Sequence, residues 1–211
     1  DKQDKKVRGL TPEEQKALVE YLLNNDPPFG RNDYRLQLFI ELYSGMRMGE
    51  INALKEEDID FEKEVVHVRN TITRGMDYEA KLKTGTKTYN GIRDVPISNK
   101  LKPYLEEAIR KKKSNKEDLL FYDYVTDTVI NTSQVNDYYQ RVCAKINLPP
   151  NGQHALRHTF ATRCIESGIP PVVLKSWLGH KDIYTTLDTY TDVFKSMDIK
   201  AVNQFDQYLN N

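Results

Sequence analysis

Strand-forming sequence is confined to the middle of this 211-residue chain, and helical sequence lies on both sides of it. Residues 65–68 and 93–97 are short strand-like runs, and a third run is predicted near residues 78–82. Between them, the sequence KLKTGTKTYNG predicts a hairpin tip. The pattern predicts a mainly α-helical fold with one small antiparallel β-sheet.

Capping signals predict where the helices begin and end. Thr11, Pro12 and Glu14 form a capping box with proline in the first turn, and Gly45, Gly168 and Gly179 are typical helix ends. Ser98 is a predicted cap for one later helix, and Thr132 or Ser133 for the next. The predicted helices cover residues 12–24, 36–44, 46–54, 99–113, 134–147, 154–167, 170–179 and part of 181–211.

Composition excludes several classes of protein. With 38% hydrophobic residues and a mean hydropathy of −0.69, the chain has no apolar run approaching the ~20 residues that span a bilayer. The charged start DKQDKKVRG is not a secretory signal, and two cysteines are too few for a disulfide scaffold. We therefore expect a cytoplasmic protein and, since the chain lacks an initiator Met, a piece of a longer one.

The net charge is zero, with 31 basic and 31 acidic residues, but the two signs are segregated along the chain. Residues 10–62 carry a net charge of −7, whereas residues 67–93 carry +4 and residues 100–116 carry +5. Basic stretches suit a polyanionic partner, although charge runs are also common on solvated surfaces. The charge pattern permits nucleic-acid binding without requiring it.

Three of the four histidines, His154, His158 and His180, fall within 27 positions. A zinc site is disfavoured because Arg157 lies between the first two histidines and no Glu base accompanies them. Acyl transfer is disfavoured because Cys164 lies in an apolar helix and no G-x-S-x-G is present. Two imidazoles and a guanidinium can instead bind the oxygens of one phosphate. A hydrogen-bonded structural histidine beside a surface arginine is the alternative.

Four motifs in order settle this choice. They are SGMRMGEI at 44–51, HALRHTFAT at 154–162, LGH at 178–180 and TTLDTY at 185–190. Together they resemble the T-G-x-R-x-x-E-L, H-x-L-R-H-T-F-A-T, L-G-H and T-T-x-x-x-Y signatures of the tyrosine recombinases, or phage integrase family. The resemblance is greatest to integrases of conjugative transposons and phages, and it implies that family's catalytic-domain fold.

The resemblance implies a site-specific DNA recombinase or integrase. By this resemblance, Tyr190 is expected to attack a DNA phosphodiester and form a 3′-phosphotyrosyl intermediate, followed by strand exchange and religation, so that a mobile element is integrated or excised. No cofactor or metal is implied, because one phosphodiester replaces another. Arg47, Arg157 and His180 are expected to stabilise the transition-state charge, and His154 to bind the scissile phosphate and assist proton transfer.

The general acid in this family is a hairpin lysine. Lys87 matches the arrangement K-T-x-x-G-x-R best, and Lys83 is the second choice. Glu50, three residues after Arg47, is expected to hold its guanidinium. His158 is expected to orient a neighbour rather than contact DNA. The expected DNA contacts are Lys81, Lys83 and Arg93.

The resemblance also implies how the chain is divided and what it binds. Residues 1–9 are expected to be a linker from a missing N-terminal core-binding domain and residues 10–195 the catalytic domain. Residues 196–211 are expected to be a C-terminal helix or tail that docks in cis or on a neighbouring protomer. Expected partners are double-stranded DNA at attachment sites or transposon ends, further copies of the chain in a dimer or tetramer, and an excisionase or DNA-bending protein.

Two kinds of alternative remain. A non-catalytic helix-turn-helix module over residues 154–180 would bind DNA without cleaving it, but leaves Arg47, Lys87 and Tyr190 unexplained. A chromosome-dimer-resolving recombinase or a type IB topoisomerase would use the same residues. In each case we expect a bacterial cytoplasmic protein that lies at the nucleoid when bound.

Overall fold

Helices flank a short strand region in the computed structural model, which describes residues 8–25, 33–74, 79–85, 92–149, 151–181, 183–196 and 198–209. Before the strands lie α1 (Pro12–Asn24), α2 (Arg35–Ser44) and α3 (Met48–Asn52). After them lie α4 (Lys102–Lys111), α5 (Thr132–Lys145), α6 (His154–Glu166), α7 (Pro171–Leu178), α8 (Ile183–Thr189), α9 (Thr191–Ser196) and α10 (Asp198–Leu209). The predicted fold class is confirmed.

The capping box of α1 forms as predicted, because the Thr11 hydroxyl accepts from the Glu14 backbone at 3.2 Å. At α5 the predicted cap is wrong. Asn131, not Thr132 or Ser133, is the N-cap, and Gln134 reaches back to the Asn131 backbone N–H at 2.7 Å. The Asn131–Gln134 pair satisfies two orphan N–H groups reciprocally, which a cap at Thr132 would not.

The strands form three small sheets rather than the single sheet predicted. A three-stranded antiparallel sheet has the order β1 (Ile59–Asp60), β2 (Val65–Val68), β5 (Arg93–Pro96). The strand predicted near residues 78–82 is β4 (Ala80–Thr84), and it pairs with β3 (Asn70–Arg74) instead of β2. Only Arg69 separates β2 from β3, so the chain leaves one sheet and enters the next within one residue. A further hairpin joins β6 (Tyr122–Asp123) and β7 (Thr128–Val129).

The largest hydrophobic cluster lies among α1, α2, α4 and α5 and includes Leu38, Ile40, Leu105 and Tyr139. A smaller cluster among α6, α7 and the end of α8 surrounds Tyr190. A third lies under the β3–β4 hairpin. The two larger clusters meet along α6, which therefore lies at the centre of the molecule.

Both ends of the described chain are informative. Leu10 is fixed on α6, because its N–H donates to Thr159 Oγ1 at 2.7 Å and its carbonyl accepts from Arg163 at 2.8 Å. At the other end, the apolar Val202, Phe205 and Leu209 of α10 are exposed. Within the described residues, no helix combines the length and apolarity needed to cross a membrane.

Candidate active site

Arg47 lies in the turn between α2 and α3. Gly45 ends α2 with a φ of +65°, and a Cβ there would lie 2.3 Å from the Phe160 ring. Glu50 accepts from the Arg47 backbone N–H at 2.8 Å and from Arg47 Nη1 at 3.0 Å. The Arg47 side chain remains 44% exposed. Its guanidinium is therefore anchored along one edge and open to solvent elsewhere.

Glu50 binds a second guanidinium, that of Arg93. Arg93 Nη1 and Nη2 donate to the two carboxylate oxygens at 2.9 and 2.8 Å, and Arg93 Nε donates to the Trp177 carbonyl at 2.6 Å. Burial alone would raise the pKa of Glu50, but the hydrogen bonds and charge of Arg93 and the charge of Arg47 lower it to about 2. The carboxylate is ionised at neutral pH.

The expected role of Arg93 as a DNA contact does not fit its position. Its side chain is 5% exposed, and its guanidinium is engaged by Glu50 and the Trp177 carbonyl. A phosphate contact needs an accessible cation, so the burial of Arg93 is inconsistent with that role. Arg93 belongs with the buried part of the site.

Arg157 is buried on α6 between two helix ends. Its Nη1 donates to the Gly45 carbonyl and its Nη2 to the Leu178 carbonyl, each at 2.6 Å. Burial, and then the charge of Arg47, lower the pKa of Arg157 to about 9, so it stays charged at neutral pH. We refer to Arg47, Arg93, Arg157 and Glu50 as the arginine cluster.

The two histidines predicted to contact phosphate lie beside the arginine cluster. His154 is the first residue of α6, and His180 follows Gly179, which ends α7 with a φ of +64°. Desolvation and the charges of Arg157 and Arg47 lower the pKa of each to about 4. Both imidazoles are therefore neutral at pH 7, and Arg47 lies close enough to influence both.

Tyr190 is buried at the end of α8 and is 5% exposed. Its ring packs in a cluster that we call the tyrosine pocket, formed by Ala161, Cys164, Ile165, Leu174 and Leu178. Burial raises the pKa of Tyr190 to about 12, against the opposing charge of Arg157. The phenol is therefore neutral, within the field of one member of the arginine cluster.

Two further polar side chains contact the predicted site residues: His158, which was expected to orient a neighbour, and Thr186, which was not singled out from the sequence. His158 Nδ1 lies 3.1 Å from the Tyr190 hydroxyl, and its ring meets that of His154 edge to face. Thr186 is buried and its hydroxyl lies 2.8 Å from His180 Nδ1. Both residues stand inside the sequence motifs, but letters alone do not show which motif residue contacts which. Tyr184, another tyrosine six residues before Tyr190 in the sequence, is 67% exposed, whereas Tyr190 is buried.

The predicted hairpin lysines are described only in part. Lys81 and Lys83 are exposed on β4, opposite Thr73 and Thr71, whereas Leu82 packs in the third hydrophobic cluster. Lys87 lies outside the described residues. Across the described ranges, no group of three or more His, Cys, Asp or Glu side chains is arranged to hold a metal ion.

The sequence is similar to known integrases and recombinases. The sequence matches the phage integrase family over residues 8–197. It is 32% identical over 177 residues to a tyrosine recombinase XerC-like protein of Caldanaerobacter subterraneus subsp. tengcongensis, covering 75% of this chain and 45% of that protein. It is 27% identical to the transposase from transposon Tn916 of Enterococcus faecalis, over 86% of this chain and 47% of that one.

The fold is similar to that of the Tn1549 transposon integrase solved in complex with circular intermediate DNA. The TM-score is 0.78 and the identity 25%, over 90% of this chain and 64% of that chain. The chain spans about half the length of the curated relatives that it matches.

Proposed function

The chain belongs to the phage integrase family of tyrosine recombinases, and from this premise we propose that it is the catalytic domain of a site-specific DNA recombinase of a mobile element. Residues 10–195 form this domain in the proposal, residues 1–9 a linker, and residues 196–211 a docking helix. The observation that carries the proposal is the meeting of Tyr190 with α6. Its hydroxyl reaches His158, and its phenol lies in the field of Arg157, the neighbouring residue.

In the proposed reaction, the arginine cluster binds the phosphodiester, whose phosphorus is the electrophile. A phosphodiester placed against the open edge of Arg47, near His154 and His180, meets one exposed cation and two neutral imidazoles. Neutral imidazoles can donate a hydrogen bond to a phosphate oxygen without giving up a proton. The fixed positive charge of Arg47 and Arg157 stabilises the additional charge of the pentavalent transition state.

Tyr190 is the nucleophile. Its oxygen attacks phosphorus as the phenolic proton passes to a neighbouring base, a role we assign to His154. The P–O5′ bond breaks, and the leaving O5′ takes a proton from the general acid Lys87, giving a 3′-phosphotyrosyl link and a 5′-hydroxyl. A tyrosine with a raised pKa is a poor nucleophile, so attack requires the cationic field and a proton acceptor. Religation reverses the step with the 5′-hydroxyl of another strand. The reaction needs no energy source because the number of phosphodiester bonds is unchanged.

The proposed substrate is double-stranded DNA at attachment sites or transposon ends. The Tn1549 integrase was solved with circular intermediate DNA, and the Tn916 relative is named a transposase. Exposed Lys81 and Lys83 on β4 are suited to backbone phosphates. We extend the proposal to a dimer or tetramer on DNA, to an excisionase or DNA-bending partner, and to the bacterial cytoplasm where such DNA lies.

The test uses a nicked duplex that carries the ends of the element encoding this protein, so that the cleaved strand cannot religate. We expect a denaturant-resistant protein–DNA adduct from the wild-type chain and none from Tyr190→Phe. The control variant Tyr184→Phe, which changes an exposed tyrosine six residues earlier, should form the adduct. An adduct with Tyr190→Phe would refute the assignment. DNA binding without any wild-type adduct would favour the helix-turn-helix alternative.

The general acid requires a separate experiment. A 5′-bridging sulfur in place of oxygen leaves as a thiolate, which needs little protonation because thiol pKa values are about 8.5. We expect Lys87→Ala to cleave the oxygen substrate poorly and the sulfur substrate normally, whereas Lys83→Ala treats the two alike. If sulfur rescues Lys83→Ala instead, the second choice is correct.

A further inference from the structure

We propose that Arg93 is a positioning residue of the cleavage reaction, which holds Arg47 through Glu50 and holds the turn that carries His180. This inference rests on the proposed function. The Arg93 side chain is 5% exposed, and none of its described hydrogen bonds is to Tyr190. Arg93 acts through its neighbours, and its contacts on three sides carry the argument.

The first side is the carboxylate of Glu50. Arg93 makes two parallel N–H to oxygen bonds to it, of 2.9 and 2.8 Å, whereas Arg47 makes one side-chain bond to it of 3.0 Å. The bidentate pair with Arg93 neutralises the carboxylate. Arg47, bound at one oxygen and 44% exposed, therefore keeps its positive charge for an incoming anion.

The second side is the end of α7. Arg93 Nε donates to the Trp177 carbonyl at 2.6 Å, one of the helix-end carbonyls that α7 itself leaves without an intrahelical partner. The adjacent Leu178 carbonyl accepts from Arg157. Two guanidiniums thus hold the last turn of α7 by consecutive carbonyls, and His180 follows two residues later.

The third side is packing against Gly179. A Cβ on Gly179 would lie 3.0 Å from both Cδ and Nη1 of Arg93, so the arginine fills the space beneath this left-handed residue. His180 is the next residue in the chain. The position of Arg93 therefore limits where the backbone of His180 can lie.

Lysine cannot make these contacts. A guanidinium offers donors along two edges of one plane, so it binds a carboxylate with one edge and a carbonyl with Nε. An ammonium keeps the charge but lacks this planar fork. The comparison of Arg93→Lys with Arg93→Met therefore separates geometry from charge.

The experiment measures the first-order rate of adduct formation at saturating nicked duplex, together with the Kd for the DNA. The matched control is Arg35, which forms the same kind of contacts far from the site: two bonds to Asp33 of 2.8 and 2.7 Å and one to the Asn25 carbonyl. We expect Arg93→Lys and Arg93→Met to slow cleavage by ~100-fold, the scale of a misplaced reacting group, with Kd within about 3-fold. Arg35→Lys and Arg35→Met should cleave at the wild-type rate.

A double variant shows whether Arg93 acts through Arg47. Once Arg47→Lys has removed the group being positioned, adding Arg93→Lys should cost much less than it does alone. Wild-type rates in both Arg93 variants, or weaker DNA binding with an unchanged rate at saturation, would overturn the proposal. Additive losses would also overturn it. If the wild-type protein forms no adduct, the proposed function itself is wrong. Urea unfolding of Arg93→Lys shows whether a slower rate in that variant is caused by misfolding.

Discussion

The arginine cluster and the tyrosine pocket hold their functional side chains by opposite means. Arg47 is half exposed, yet a buried carboxylate fixes it, and that carboxylate is fixed by Arg93 in turn. Tyr190 is buried, yet apart from packing its hydroxyl has one described hydrogen bond, to His158. Arg47, which we propose binds the phosphate, is therefore held by hydrogen bonds between charged groups, whereas the proposed nucleophile Tyr190 is held mainly by apolar packing.

The two kinds of contact differ in strength. Hydrogen bonds to charged groups contribute about 1.5–3 kcal/mol, whereas neutral ones contribute about 0.5–1.5 kcal/mol. A site that binds a dianionic transition state gains from charges that need no rearrangement. In the proposed reaction, the side chains held most rigidly are therefore those where negative charge develops.

Glu50→Gln should break the arginine cluster and have the largest effect. Arg93 would remain buried without its carboxylate, and removing one partner of a buried pair costs about 3–5 kcal/mol. We also expect cleavage to slow by ~100-fold because Arg47 loses its anchor. Urea unfolding and adduct rates test this. Glu20→Gln, from an exposed pair with Lys16, is the control and should change neither quantity.

Gly179→Ala should break the contact between the last turn of α7 and Arg93. An alanine in the left-handed region costs about 1–2 kcal/mol. Gly168→Ala is the matched control, since its φ is +87° but a Cβ there meets nothing within 4 Å. We expect Gly179→Ala to lower the free energy of unfolding more than the control and to slow cleavage. Equal effects on both quantities would show that the packing against Arg93 is unimportant.

The histidines and the arginine cluster should lose their contributions to the free energy of unfolding over different pH ranges. His154 and His180 have pKa values of about 4 in the folded state, whereas in the unfolded chain they are protonated near the ordinary histidine pKa of 6.5. Their contribution is therefore complete above pH 6.5 and is lost as the pH falls towards 4. The contribution of Glu50, with its pKa lowered to about 2, is lost only below about 4.5.

Urea unfolding at pH 7 and pH 5 measures this difference. The free energy of unfolding of the wild-type protein should decrease from pH 7 to pH 5. The double variant His154→Asn, His180→Asn should show a smaller decrease. A double variant that falls as steeply as wild type would contradict the assignment of the low pKa values to these two residues.

His158→Leu should have the smallest effect, because it removes one neutral hydrogen bond from the tyrosine pocket. We expect a loss of about 1 kcal/mol in unfolding free energy and less than a tenfold change in adduct rate. His158→Asn, which keeps an acceptor near the Nδ1 position, should lose less stability. A hundredfold slower reaction in His158→Leu would mean that His158 takes part in the chemistry.

Local signals in the sequence explain most of the helices. Gly45, Gly168 and Gly179 each adopt a positive φ at a helix end, as their positions predict. The sheets were predicted less well because strand pairing is a long-range property. Arg69, the single residue between β2 and β3, has no turn-forming character that would predict that β3 pairs with β4 in a separate sheet.

The candidate site shows the same division. The four motifs identify Arg47, His154, Arg157, His180 and Tyr190, and the structure gathers them around α6. The burial of Arg93 was not predicted, because an arginine in a basic stretch resembles a DNA contact until its partner is known. That partner, Glu50, lies 43 residues earlier in the chain. The burial of Tyr190 likewise depends on packing between helices rather than on its motif.

The most direct test of this account is mass spectrometry of the adduct. The wild-type chain is trapped on the nicked duplex, the complex is digested with protease and nuclease, and the peptide that carries a nucleotide remnant is sequenced. We expect a remnant on Tyr190, the tyrosine whose hydroxyl lies 3.1 Å from His158 Nδ1. A remnant on Tyr184 or on any other residue would contradict it.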